Sequence, residues 1–284
     1  MHLKEYYPGT FPRLIISVAL TGAVPSKDKY PNLPVTPLEI AQEAIACASL
    51  GAQVVHLHMR DKNGKPAQER ERFMETIERI REHREDLVIC ATTTSRGSNS
   101  LEDRLVPLDL PGALLPDMVS LTLGSYNTPY GINSNPVEQI LAIANRAAER
   151  GVALEGEVFE LGMIATHDRL VAENSLQPVA MMNVLLGVQG AMPASASALV
   201  EAVRNIPEGV EWAAAGIGHF QPSVTLLAAA MGGNVRVGME DDPRGEGDGW
   251  TNAMAVRRAV EFADLIGRDL ASPSEARHRM RIAR

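Results

Sequence analysis

The chain has 284 residues, is 45% hydrophobic, and carries a formal net charge of −8 with a pI near 5.4. That is ample for a large core, in one big domain or two small ones. The acidic balance, with no basic stripe, speaks against a nucleic-acid binder and for an enzyme of small molecules, in which a local arginine can still hold an anion. The opening "MHLKEYYPGTFPR" lacks the apolar core of a signal peptide, and no stretch is long and apolar enough to span a membrane. The two cysteines, Cys47 and Cys90, form neither a CxxC motif nor a disulfide framework, so a reducing, cytoplasmic setting with two buried thiols is expected.

Eight apolar, β-rich runs follow one another: "RLIISVAL" (13–20), "AQVVHLHM" (52–59), "DLVICATTT" (86–94), "PDMVSLTLG" (116–124), "VALEGEVFE" (152–160), "VAMMNVLLG" (179–187), "VEWAAAGIG" (210–218) and "NVRVGME" (234–240). Helix-period stretches lie between them. "TPLEIAQEAIACASLG" opens with Thr36 as N-cap and Pro37 at the first helical position, and stops at Gly51. "ERFMETIERIREH", "NPVEQILAIANRAAERG", the shorter "HDRLVAENSL", "SASALVEAVRNI", "PSVTLLAAAMGG" and "WTNAMAVRRAVEFADLIG" complete the series. Strands alternating with helices over roughly 250 residues predict a (β/α)8 TIM barrel. One domain over 1–284 is expected, with a barrel core at about 13–268 and a helical tail at 269–284. A doubly wound open sheet is the runner-up, but the turn after the first run, "LTGAVPSKDKYPNLP", has no GxGxxG fingerprint.

Barrels of this kind place chemistry at the C-terminal ends of their strands. In chain order those ends offer Thr21 and Gly22; His56, His58, Arg60 and Asp61; Thr92 to Ser95; Ser120, Thr122 and Asn127; Glu155, Glu157 and Glu160; Asn183; Gly218 and His219; and Arg236, Glu240 and Asp241. In "VVHLHMRD" the side chains alternate, so His56 and His58 share a face, where two imidazoles can hold a metal. Two histidines want a carboxylate beside them for catalytic zinc. Glu240 is the best third ligand and His219 its rival, and Mn²⁺ or Fe²⁺ can use such a set too. Asp241, beside the metal but not on it, suits a general base, or alternatively a helix N-cap. Arg236 stands i, i+4 from Glu240 and is expected to hold an anion, either Asp241 or a substrate carboxylate. The hydroxyls of Thr92, Thr93, Ser120 and Thr122 can bind carboxylate or carbonyl oxygens, although plain strand propensity also explains threonines there. These residues suggest metal-assisted polarisation of a carbonyl with proton abstraction nearby, covering aldolase-like cleavage, enolisation and Claisen chemistry. A metallohydrolase would want more ligands, and a binding module has no use for so costly a rim.

Seven segments carry a resemblance to a known family: "LTGAVPSKDKYPNLPVTP", "GAQVVHLHMRDKNGKP", "MVSLTLGSYN", "EGEVFELGM", "LLGVQGAM", "AAAGIG" and "GGNVRVGMEDD". Over nearly the whole chain the sequence resembles the β-keto acid cleavage enzymes. The resemblance implies a zinc-dependent barrel, usually a homotetramer, that condenses a β-keto acid with acetyl-CoA to give acetoacetate and a new acyl-CoA. It implies His56, His58 and Glu240 as Zn²⁺ ligands, Asp241 as base, Arg236 as its partner and Glu157 in support. Thr92 and Ser120 match substrate contacts, with Thr93, Thr122, Asn127 and Val24 around them. Three departures stand out: Val24 where a family member has a glutamate that meets a substrate ammonium, the added Arg96 in "TTTSRGSNS", and Asp242 where asparagine is usual. Val24 implies a β-keto acid with an uncharged tail. An acidic tail within reach of Lys27 and Arg96 is the weaker reading. A metal-dependent carbon–carbon lyase or aldolase working without CoA is the alternative function.

Overall fold

The structure is a computed structural model and describes residues 11–94, 96, 100–244 and 249–283. Eight strands close, in chain order, into a barrel in which every pairing is parallel. They are β1 (Ile16–Ala19), β2 (Val54–Leu57), β3 (Val88–Ala91), β4 (Met118–Thr122), β5 (Ala153–Val158), β6 (Met181–Leu186), β7 (Glu211–Gly216) and β8 (Asn234–Val237). Each lies inside one of the eight apolar runs, and the (β/α)8 architecture is the expected one.

The helices are α1 (Pro37–Ser49), α2 (Arg70–Arg81), α3 (Leu101–Leu105), α4 (Val137–Arg150), α5 (Leu161–Ala172), α6 (Ala196–Asn205), α7 (Gln221–Ala230), α8 (Asn252–Leu265) and α9 (Pro273–Arg279). Helix α1 starts as its sequence implies: the Thr36 hydroxyl accepts from the Glu39 amide, and the Glu39 carboxylate accepts from the Thr36 amide. Two helical stretches depart from expectation. Helix α5 begins at Leu161, ahead of "HDRLVAENSL", because Met163, Ile164, His167 and Leu170 form one buried stripe. Among the described residues, the crossover from β3 to β4 has the short α3 and two 3₁₀ turns, at Val106–Asp109 and Gly112–Leu114, each too brief for a helical period to show.

Strand alternation sorts the barrel interior into layers. The lower layer is apolar: Ile15, Val54, Val88, Cys90, Met118, Met181 and Ala213, closed from below by Ala271, Ala276 and Met280 of the tail. Two residues further along the same faces come Ser17, His56, Thr92, Ser120, Glu155 and Asn183, all buried. Arg236 joins them from β8 and is 1% exposed. The interior thus turns from hydrocarbon to charge toward the C-terminal rim. Among the described residues no helix is long and apolar enough to cross a membrane.

Candidate active site

His56 sits inside β2, and His58 lies just beyond it, before a hairpin that pairs Met59–Arg60 with Pro66–Ala67. Their rings lie 5.1 Å apart by centroid. Glu240 arrives by a different route from the expected one. Strand β8 stops at Val237, and Gly238 turns the chain at φ +132, where a Cβ would stand 2.2 Å from the Ala19 carbonyl oxygen. The Glu240 amide then donates to the Ala19 carbonyl at 3.1 Å. Its side chain lies against Gly22, whose missing Cβ would fall 2.5 Å from Glu240 Cγ. Glu240 Oε1 is 3.4 Å from His58 Nε2 and Oε2 is 3.8 Å from His56 Nε2.

These three residues form a grouping able to hold a metal ion, with ligand atoms all within 4.8 Å of one another. Atoms bound to one tetrahedral zinc at ~2.0–2.1 Å stand roughly 3.3 Å apart, which the 3.4 Å from Glu240 to His58 matches and the 3.8 Å to His56 exceeds by about half an ångström. Among the described residues, Nε2 of His56 and Oε2 of Glu240 are buried without a hydrogen-bond partner, and both face the triad. In a folded interior such orphans call for an explanation, and a cation supplies one. The charge balance agrees: Glu157, Glu240 and Asp241 all pair with the guanidinium of Arg236, and Glu155 lies near it, so carboxylates outnumber the cation they directly share, a setting that favours a dication.

Arg236 draws three carboxylates together. Its Nε donates to Asp241 Oδ2 at 2.8 Å, and Nη2 donates to Asp241 Oδ1 at 3.1 Å and to Glu240 Oε1 at 2.8 Å. Nη1 reaches Glu157 Oε1 at 3.4 Å, while Glu157 Oε2 accepts from the Thr122 hydroxyl at 2.8 Å. Asp241 is pushed up to about 6, by burial first and by the charge of Glu240, against the pull of Arg236. Burial works against the charge of Glu240, yet His58, Arg236 and His56 together hold it well below the usual carboxylate range. His58 is pushed down by burial, against the pull of Glu240, whereas His56 is raised because Glu240 and Glu155 outweigh its burial.

A cavity of about 600 Å³ opens above these groups. His58, Glu157, Arg236, Glu240 and Asp241 form its charged floor, and Thr92 and Thr122 line it as well. Val24 lines the wall and is 52% exposed. The remaining expected contacts lie elsewhere. Ser120 is buried in the barrel beside Glu155 and is not on the cavity wall. Thr93 faces away from the cavity: its hydroxyl donates to the Ser120 carbonyl at 2.5 Å, and its own carbonyl accepts from Arg104. Asn127 is the outward residue of a short strand, Tyr126–Thr128, whose two end residues line the cavity. His219 packs its ring on Phe220 at 3.9 Å and is absent from the metal grouping. Lys27 is paired with Glu39 and off the cavity, Asp61 caps its own turn, and Ser95 lies outside the described residues. The wall also includes Lys29, Tyr30, Tyr126, Phe159 and Arg244, which no local sequence signal marks.

Fold and site together define a parallel barrel with a metal-type triad and a guanidinium-held carboxylate under one cavity. The family model for the beta-keto acid cleavage enzyme matches residues 13–282, and the chain belongs to that family. It is 38% identical over 270 residues to a 3-keto-5-aminohexanoate cleavage enzyme of Fusobacterium nucleatum, covering 93% of this chain and 96% of that protein. It is 30% identical over 268 residues to a 3-oxoadipate:acetyl-CoA acetyltransferase of Cupriavidus necator, covering 93% of each. Among solved structures it is similar to apo ObcA, with a TM-score of 0.76 at 18% identity, covering 89% of this chain and 66% of that one.

Proposed function

We propose that the protein is a zinc-dependent acyltransferase that condenses a β-keto acid with acetyl-CoA to yield acetoacetate and a new acyl-CoA. The observation that carries this reading is the triad of His56, His58 and Glu240 next to Asp241, which is clamped by both nitrogen faces of Arg236. His56, His58 and Glu240 would hold the zinc, which would supply Lewis acidity to the substrate beside Asp241. Asp241 removes a proton from C2, and Arg236 keeps its carboxylate aimed at that carbon. The C2 carbanion attacks the acetyl thioester, and the CoA thiolate leaves. The thiolate then attacks the original keto carbon, and the bond between C2 and that carbon breaks. Asp241 returns its proton to C2 as acetoacetate departs. In this reading Glu157, held by Thr122 and Arg236, supports the floor, and Thr92, which lines the cavity, meets substrate oxygens.

The tail of the substrate is uncharged in this reading. Val24, Ala23, Pro25, Leu185, Val188 and Ile217 give the cavity lining an apolar share. An ammonium placed there has no rim carboxylate among the described lining residues and faces Lys29, Arg96 and Arg244. Those three cations favour a second reading, an acidic tail. The same proposal includes a homotetrameric, cytoplasmic enzyme, and light scattering tests the assembly. The function is tested by incubating zinc-loaded protein with neutral, anionic and cationic β-keto acids, with and without acetyl-CoA. Acetoacetate formed only with acetyl-CoA, fastest from neutral tails, is the expected result. Cleavage independent of acetyl-CoA would establish a metal-dependent lyase instead.

A further inference from the structure

We propose that Glu155 is a positioning residue. It accepts the Nδ1 proton of His56 and thereby presents the Nε2 lone pair of that ring to the metal, an inference that rests on the zinc reading of the triad. Glu155 lies on β5, two residues before Glu157, and its carboxylate is fully buried. It does not line the cavity, so it meets neither substrate nor acetyl-CoA. A carboxylate kept there without water needs a partner and a purpose.

The geometry supplies both. Glu155 Oε2 faces His56 Nδ1 at 3.6 Å, just beyond hydrogen-bond length, and Nδ1 has no hydrogen-bond partner among the described residues; on the other side of the same ring Nε2 is 3.8 Å from Glu240 Oε2. The imidazole therefore stands between two carboxylates, one in the cavity floor and one beneath it. A neutral imidazole carries a single N–H. With the proton on Nε2, the Nδ1 lone pair would face the Glu155 anion and the triad would lose a ligand. With the proton on Nδ1, it points at Glu155 and Nε2 is free to bind. Carboxylate behind histidine is a general way to fix the tautomer and raise the basicity of a metal-bound ring.

The groups around Glu155 hold it in this role. The Cys90 thiol donates to Oε2 at 3.4 Å, and Asn183 Nδ2 reaches Oε1 at 3.5 Å. The carboxylate is thus steered from β3 and β6 as well as facing β2. The same contacts explain why His56, Cys90 and Glu155 also cluster as possible metal ligands. In that lower cluster the thiol and ring protons converge on one carboxylate, and burial and the nearby carboxylate push the Cys90 thiol well up, disfavouring the thiolate a metal would need.

Two measurements test the proposal. In zinc-loaded protein labelled with ¹⁵N-histidine, long-range proton–nitrogen correlation should show His56 protonated on Nδ1; a proton on Nε2 overturns the assignment. This needs no variant, so it decides even if substitutions at position 155 fail to fold. Second, zinc affinity is measured by competition with a chromophoric chelator. Glu155→Gln keeps the shape but loses the charge, and its affinity should fall about 10–100-fold. Wild-type affinity in Glu155→Gln, alongside lost binding in His58→Ala and Glu240→Gln, refutes the role of Glu155 alone. Wild-type affinity in those two controls refutes the zinc triad itself.

Discussion

Asp241 and Gly22 show how much of the site rests on single residues. Asp241 is 4% exposed and takes two hydrogen bonds from Arg236. Asp241→Asn keeps the volume and one acceptor but removes the carboxylate proposed as the base. It should lower kcat by about 10²–10⁴-fold while zinc content, measured on the purified variant, stays at the wild-type level. Loss of zinc in that variant would make Asp241 a ligand rather than a base. Gly22 works by absence. Its φ of +63 and the 2.5 Å approach of Glu240 Cγ leave no room for a methyl group. Gly22→Ala should cost at least about 1 kcal/mol of stability from the left-handed backbone. It should also push Glu240 aside, so that zinc binds more weakly than in wild type. Denaturation and chelator competition read the two effects separately.

At the scale of elements, the segment from β1 to α1 is held by two devices that lie off the cavity wall. Arg60 is 2% exposed and carries its charge into backbone carbonyls: Nη2 donates to Pro25 at 2.8 Å and Thr21 at 3.4 Å, and Nη1 to Gly64 at 3.0 Å. It ties the hairpin after β2 to the loop that carries Ala23, Val24 and Pro25 to the cavity. Arg60→Met removes these donors and should destabilise the fold by on the order of 2 kcal/mol. With the loop loosened, KM should rise more than kcat falls; an unchanged KM would mean that Arg60 serves stability alone. The second device is Glu39, which joins Lys27 of the same loop to the start of α1. Burial opposes its charge, but Lys27 and the amides of Val35 and Thr36 bring its pKa down to about 2. A depressed pKa adds stability above the ordinary value, near 4.5, and that stability is lost as pH falls toward 2. The stability gap between wild type and Glu39→Gln should therefore be present at neutral pH and shrink across that window. Because the pair is substantially exposed, the gap should stay within about 1 kcal/mol. Thermal melts from neutral to acid pH would show it, and a gap that widens toward acid would contradict the assignment.

Over the whole molecule, the two ends of the barrel divide the labour. The C-terminal rim holds charge and cavity, and the opposite end is closed by the chain's last segment. Ala271 donates to the Leu14 carbonyl and accepts from Gln53, Arg277 pairs with Asp117, and Arg279 pairs with Glu211. Met280, 1% exposed, packs on the lower layer of the barrel interior. Met280→Ala should cost about 2–5 kcal/mol, the range for emptying a buried methionine site. Its kcat at a temperature where the variant stays folded should match wild type, since this end carries stability and not chemistry. Urea denaturation gives the first number. A tenfold fall in kcat of the folded variant would show that the two ends are coupled.

Features that repeat along the chain were legible from the sequence alone. Strand number and barrel class follow from β-rich runs punctuated by helical periods, because burial on a strand or helix face is a local, periodic demand. The shared face of His56 and His58 follows from alternation within one short segment. The start of α1 follows from Thr36, Pro37 and Glu39, which interact within one turn. What brings distant segments together was decided by the closed barrel. An extended run through residue 240 puts Glu240 on the face of Arg236, but the strand ends at Val237, and Gly238 turns the chain so that the two meet at 2.8 Å. Thr92 and Thr93 look alike in sequence, yet one lines the cavity and the other braces a neighbouring strand. Asn127 turns outward while Tyr126 and Thr128 turn in. Glu155 stands beneath His56 only because β2 and β5 lie across the barrel from each other's flanks, with β3 and β4 between them. Such approaches depend on strand register and closure, which sum contributions from the entire chain, and no window of sequence contains them.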